Sequence, residues 1–205
     1  MSKKLPDYAL EQSLGLPTAG VDEAGRGPWA GPVVAAAVMF TGSHIPKGIN
    51  DSKKLSLPKR EQLFDAIHAS AVVGVGIAAV EEIDALNILQ ATKLAMKRAV
   101  TAMPREPQAI LIDGNQPIEW HGKVQTVVKG DAISVSIAAA SIIAKVTRDR
   151  IMCELHEQFP HFGWANNAGY GTPEHISGLA AHGVTVHHRK SFAPVRKLLQ
   201  EMQDA

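Results

Sequence analysis

The sequence predicts an α/β fold, a mixed sheet flanked by helices with a helical segment at the C-terminus. Three observations predict it. Apolar and β-branched runs of strand length recur along the chain, stretches with helical apolar spacing separate the later ones, and glycine and proline punctuate the joints. At 205 residues the chain has the length of one domain and can bury a core without metal or disulfide staples. We take 1–205 as a single unit, with a sheet-and-helix core over about 18–160 and the helical extension over 161–205.

Residues 1–17 read as a lead-in closed by Pro17. Ala19–Glu23 is the first predicted strand, and the glycines and prolines of Gly25–Pro28 and Gly31-Pro32 mark a turn after it. Val33–Phe40 is apolar throughout and of strand length. Pro58 in a first turn opens a helix over 59–69. Ala71–Val80 is β-branched and reads as a third strand. Ile83, Leu86, Ile88, Leu89, Leu94 and Ala95 space a long helix, or two abutting ones, over 81–103. Ala109–Ile112 and Val124–Val128 are short strands, Ile133–Phe159 is an alanine-rich helix, and 174–182 and 194–203 are further helices. Three strands followed by helix-separated ones suit a mixed sheet covered on its faces.

Composition narrows the function classes. Apolar residues at 45% and charged residues at 20% describe a globular chain rather than a disordered one. The longest apolar run, Trp29–Phe40, is too short and too interrupted to span a bilayer. The charged N-terminus lacks an apolar signal core, and the lone Cys153 permits no internal disulfide; both point to the cytoplasm. The net charge of +1 is unevenly spread: residues 47–60 and 187–197 each carry +4, leaving the remainder at −7. Basic edges and an acidic middle suit a protein that holds a polyanion outside and cations inside, although short charge clusters also serve as solvated faces.

The acids fall at strand ends. Asp22 and Glu23 end the first strand, Asp113 ends Ile110-Leu111-Ile112, and Asp131 follows the fifth strand. Each has an ordinary alternative, since Asp113-Gly114 and Gly130-Asp131 are common turn dipeptides. Taken together, carboxylates converging on one sheet edge repel one another, and a divalent cation relieves that repulsion. Oxygen ligands without cysteine suit Mg²⁺ or Mn²⁺ rather than zinc. Adjacent strand residues point to opposite faces, so Asp22 is expected as the central ligand, with Glu23 joining through a bulge or acting from an outer position.

Asp22-Glu23-Ala24-Gly25-Arg26-Gly27-Pro28 resembles the signature of the type 2 ribonucleases H, and the whole chain is similar to the bacterial HII branch of that family. In order along the chain, Asn50–Leu55, Ile112-Asp113-Gly114, Lys129-Gly130-Asp131, Ala140–Val146, Gly169-Tyr170-Gly171-Thr172 and His188-Arg189-Lys190-Ser191-Phe192 resemble its remaining motifs. The resemblance implies an RNase H-like fold with a five-stranded mixed sheet and a C-terminal helical extension. It implies a metal-dependent endonuclease that hydrolyses RNA paired with DNA and cuts 5′ of ribonucleotides embedded in duplex DNA, leaving a 3′-hydroxyl and a 5′-phosphate, as in replication and ribonucleotide excision repair. Carried over by motif, Asp22, Glu23, Asp113 and Asp131 are the catalytic and metal-binding residues, holding two Mg²⁺ or Mn²⁺ ions when substrate is bound. Gly25, Arg26 and Gly27 read the junction ribose, Tyr170 packs on the following deoxyribose, and Ser52, Lys53, Lys54, Lys145, Arg189 and Ser191 contact phosphates. Ala168 stands where the family usually has lysine, so one phosphate contact is expected to be missing or replaced. The partners implied are RNA–DNA hybrid and ribonucleotide-containing duplex, with no membrane; a monomer is expected, and the sequence does not decide association with a replication clamp.

Other patterns carry less. Gly74-Val75-Gly76-Ile77-Ala78-Ala79 spells a dinucleotide fingerprint but lies inside a strand pattern instead of opening a helix, so it reads as chain packing. His182, His187 and His188 read as solvated or phosphate-contacting, and Cys153 as a packed thiol. The competing classes are the HIII branch, which carries a separate N-terminal domain for which the 21 residues before Asp22 leave no room, a catalytically dead hybrid-binding module, and a metal-dependent phosphatase.

Overall fold

The computed structural model describes residues 5–42 and 44–203. Five strands, β1 (Thr18–Ala24), β2 (Val33–Phe40), β3 (Ala71–Ala78), β4 (Ala109–Asp113) and β5 (Lys123–Val127), form one sheet in the order β3-β2-β1-β4-β5. β1 pairs antiparallel with β2, and β2 with β3, whereas β1–β4 and β4–β5 are parallel. The predicted mixed sheet is therefore present, with β1 as the seam between its two halves. Because β1, β4 and β5 run the same way, their C-terminal ends share one edge. That edge is where the acids were predicted to converge.

Helices cover both faces: α1 (Ala9–Leu14), α2 (Leu57–Ser70), α3 (Val80–Leu86), α4 (Ile88–Thr101), α5 (Val135–Gln158), α6 (Trp164–Asn167), α7 (Pro173–His182) and α8 (Ala193–Gln203). β2 shows why two layers are needed, since all eight of its residues are buried. Val33, Ala35, Ala37 and Met39 pack toward Ala91, Ala95 and Ala99 of α4; Ala36, Val38 and Phe40 pack toward Leu63 and Ile67 of α2 and Ile142 and Ile143 of α5. An unbroken apolar run thus serves two cores through the two-residue period of a strand. A Cβ added at Gly74 or Gly76 would collide with the backbone of α4 at Ala99 or Ala95. The fingerprint-like glycines are packing residues, as their place within a strand pattern predicts.

The helical stretch over 81–103 resolves into the two-helix alternative. Asn87 has φ 72° and ends α3, and its side chain then caps α4 by accepting from the Leu89 and Gln90 amides at 3.0 and 3.1 Å. The lead-in is more than a tail. It contains α1, whose buried Glu11 accepts from the Ser134 hydroxyl and the Ser136 amide at the start of α5, a favourable place for a carboxylate. Beyond α5 the chain packs on a third cluster formed by Ala30, Met152, Phe162, Trp164 and Leu179. Cys153 corrects its expectation: the buried stripe of α5 runs through Met152, and the neighbouring thiol is exposed.

Candidate active site

A cleft of about 420 Å³ opens at the shared C-terminal edge of β1, β4 and β5. Asp22, Glu23, Asp113 and Asp131 line it, together with Asp51, Ser52, Lys53, Lys145, Arg148, the Gly25–Gly27 turn and Tyr170. Asp22 and Glu23 reach it without a bulge, because the β1–β2 register runs unbroken from Gly20↔Val38 to Ala24↔Val34. At the end of a strand both faces give onto the open edge, so alternation does not separate the two side chains from one cleft. Asp22 is 7% exposed and its carboxylate accepts the Glu23 amide at 2.7 Å. Asp113 accepts the Gly130 amide at 2.6 Å, which ties the β4 end to the tight turn Gly130–Ala132 that presents Asp131.

Burial pushes the Asp22 carboxyl well above its ordinary range, and the neighbouring charges of Glu23 and Asp113 push it further. Burial raises Glu23 too, against the opposing pull of Arg26, whose guanidinium lies 3.3 Å away. Burial and the charges of Asp51 and Asp113 raise Asp131. Among the described residues no three His, Cys, Asp or Glu side chains are already drawn into a ligand set. The carboxylates line the cleft together, and like charges brought into one cleft repel one another. An all-oxygen donor set in which burial and neighbouring charge raise Asp22, Glu23 and Asp131 fits a hard divalent cation, which would remove the repulsion.

Another part of the lining is built from backbone. Gly25 has φ +97°, and a Cβ there would run into the Arg148 side chain beneath it. A Cβ at Gly27 would stand 3.2 Å from Cε1 of Tyr170, so the missing side chain lets the ring close over the turn. Tyr170 is itself 52% exposed at the mouth. The basic loop is set by Asp51, which accepts the Lys53 amide at 3.0 Å and pairs with Lys54 at 3.2 Å. Lys53 is directed at the cleft, and Ser52 is buried with its amide donated to Ser141. Lys145 lines the cleft while paired with Asp149 at 2.7 Å.

Three C-terminal expectations need correction. Arg189 is fully buried outside the lining of the cleft, and its guanidinium donates to the carbonyls of Gly25, Arg26, Gly31 and Pro32, so it holds backbone instead of a phosphate. Ser191 is exposed, but its hydroxyl and amide are both committed to Asp84, and it lies outside the lining of the cleft. His188 is fully buried rather than solvated. The Thr185 amide donates to its Nδ1, which leaves Nε2–H to donate to His175 Nε2 at 3.0 Å; His175 Nδ1–H in turn donates to the Tyr170 carbonyl. Burial, then the proximity of His175 and His187, lowers His188 from 6.5 to about 3, so this chain of rings is neutral.

Arg148 carries no motif that singles it out in the sequence, yet it belongs to this wall. It is 2% exposed and donates to the carbonyls of Pro32, Ala30 and Ala168. Ala168 sits at φ +49° with its carbonyl turned to Arg148. No carboxylate lies within ion-pair distance of Arg148 or Arg189 among the described residues. Burial lowers their pKa values only to about 10 and about 9, so both stay charged at neutral pH.

The profile of the Ribonuclease HII family matches residues 19–195, a span that holds every residue lining the cleft. A ribonuclease HII of Magnetococcus marinus is 61% identical over 183 residues, covering 88% of this chain and 86% of that one. A ribonuclease HII of Wolbachia pipientis from Culex pipiens is 55% identical over 196 residues, covering 95% and 100%. In structure, the ribonuclease H2 of Pyrococcus horikoshii superposes with a TM-score of 0.78 at 29% identity, covering 92% of this chain and 99% of that one. Fold, cleft and sequence agree on one conclusion: the chain belongs to the ribonuclease HII family and is a ribonuclease H.

Proposed function

We propose that this ribonuclease H is an endonuclease that hydrolyses RNA paired with DNA and also cuts 5′ of single ribonucleotides embedded in duplex DNA, leaving a 3′-hydroxyl and a 5′-phosphate. The observation that carries the proposal is one cleft with unlike walls. Four carboxylates at or just beyond the C-terminal ends of three parallel strands line it, and a glycine turn and an exposed tyrosine ring line it beside them. The acidic wall is where a phosphodiester would be hydrolysed. The backbone wall is where a sugar would be recognised, since bare amides can approach a ribose closely and only RNA offers a 2′-hydroxyl.

Asp22, flanked by Glu23, Asp113 and Asp131, would hold Mg²⁺ or Mn²⁺. The cation, when bound, supplies Lewis-acid activation of water and neutralises charge building on the phosphate. The protein's own groups do the rest. Buried Asp22 fixes the centre of the site, and Asp113 is locked by the Gly130 amide so that Asp131 is presented beside it. Lys53 and Lys145 line the cleft and would contact phosphate oxygens flanking the scissile bond, and such contacts hold the duplex without reading its sequence. Tyr170, whose ring lies close to Gly27, would lie on the sugar next to the one read by Gly25–Gly27.

Cleavage of a duplex with one internal ribonucleotide, assayed with EDTA, Mg²⁺ or Mn²⁺, tests the proposal. The expected result is a single cut 5′ of the ribonucleotide, only with a divalent cation, with a 3′-hydroxyl on the upstream fragment. Tight binding without a cut under any cation would identify a hybrid-binding module instead.

A further inference from the structure

Two full positive charges are buried under the Gly25–Gly27 turn with no carboxylate within ion-pair distance among the described residues, an arrangement that costs stability unless carbonyl dipoles satisfy the donors. Here they do. Arg189 Nη2 donates to the Gly25 carbonyl at 2.6 Å and Nη1 to the Arg26 carbonyl at 3.1 Å, while Nε holds the Gly31 carbonyl at 2.9 Å. The chain contains no cis peptide among the described residues, and in a trans peptide the C=O and N–H point in opposite directions. Drawing the carbonyls of 25 and 26 down onto Arg189 therefore turns the N–H groups of Arg26 and Gly27 up, toward the cleft that these residues line. Neither amide finds a protein acceptor among the described residues. A charged donor on the carbonyl also polarises the peptide and strengthens its N–H as a donor.

We propose that Arg189 is a positioning residue for substrate discrimination, holding two consecutive peptides so that the Arg26 and Gly27 amides meet the 2′-oxygen of a ribose. This rests on the reading of Gly25–Gly27 as the ribose-recognising turn. A deoxyribose offers these donors no acceptor at that position, so their orientation sets the preference for a ribonucleotide. Arg148 completes the clamp from the other side. It underlies Gly25 and ties Ala30 and Pro32 to Ala168, two residues before Tyr170. The turn and the tyrosine that closes on it are thus referenced to the same pair of guanidinium groups.

The test measures equilibrium affinity in EDTA, where the substrate is not cut, for a duplex with one ribonucleotide and for the all-DNA duplex of the same sequence. Wild type, Arg189→Lys and Gly27→Ala are compared, with thermal melts of each. Lysine keeps the charge and loses the fork. Arg189→Lys should reduce the ribonucleotide preference about tenfold, as for loss of charge-assisted hydrogen bonds, and leave all-DNA affinity and its salt dependence unchanged. A role confined to folding would lower the active fraction and so weaken both affinities by the same factor; that result overturns the proposal. If Arg189→Lys does not melt cooperatively, Arg148→Lys takes its place with the same two outcomes. Gly27→Ala separates the layers. Loss of preference in Gly27→Ala with full preference in Arg189→Lys overturns the clamp alone, whereas full preference in Gly27→Ala overturns the ribose-recognising turn itself.

Discussion

Lowering the pH should loosen the protein from beneath the Tyr170 loop. His188 is fully buried, donates to His175 and accepts from the Thr185 amide, and is surrounded by the rings of Phe162 and Trp164, with His175, His187 and the Arg189 guanidinium as its nearby titratable groups. Its pKa is pushed from 6.5 to about 3, chiefly by burial. The folded state therefore refuses a proton that the unfolded chain accepts below 6.5. Stability is intact above that pH and is lost as the pH falls from 6.5 toward about 3. Each pH step inside that window costs about 1.4 kcal/mol, so going from pH 7 to pH 5 should remove about 2 kcal/mol through His188. His175 is lowered as well, again by burial, and acts in the same direction. Urea unfolding of wild type and His188→Gln across this range provides the assay. Glutamine cannot titrate, so the variant should show a shallower loss and the two curves should converge toward acid. Parallel curves for the two proteins would refute a neutral His188 in the fold.

Asp22→Asn, Asp113→Asn and Asp131→Asn should each lower kcat about a hundredfold or more, the scale of several kcal/mol of lost transition-state stabilisation. Asp22→Asn should also leave the melting temperature unchanged or raised, because it removes a crowded buried charge; wild-type turnover of all three at saturating Mg²⁺ would dissolve the acidic site. Lys53→Ala with Lys54→Ala should reduce the slope of log affinity against log salt by ~0.7–0.9 for each phosphate that the loop neutralises. Lys53 should account for more of it, since Lys54 already pairs with Asp51; an unchanged slope takes the loop out of the interface. Tyr170→Ala should lose more activity on a single embedded ribonucleotide than on a long RNA–DNA hybrid, which lacks the deoxyribose on the 3′ side. Equal fractional losses, measured side by side, would make Tyr170 a packing residue.

What the sequence revealed and what it hid divide along a physical line. The acids were legible because each follows a strand pattern, and strand direction then forces them to one edge. Asp22 and Glu23 call for a bulge only if alternation is carried to the last residue of the strand, where the edge in fact opens both faces to the cleft. Arg189 and His188 misled for a different reason. A charged or titratable residue on a loop is solvated by default, and nothing local reports that it is buried. The carbonyls that hold Arg189 lie in the Gly25–Pro32 segment, with Gly31 158 positions away, and the ring that holds His188 lies on α7. Arg148 was hidden in the same way, as one polar residue in a long helix whose partners are the main chain of another segment. These three residues share a task that side-chain chemistry alone does not announce. They hold backbone in place, and a site that recognises substrate through backbone amides depends on whatever fixes those amides. The acidic part of the cleft can therefore be read from residue types along the chain, while the buried donors that hold the Gly25–Gly27 turn are recognisable only once the fold has brought carbonyls to them.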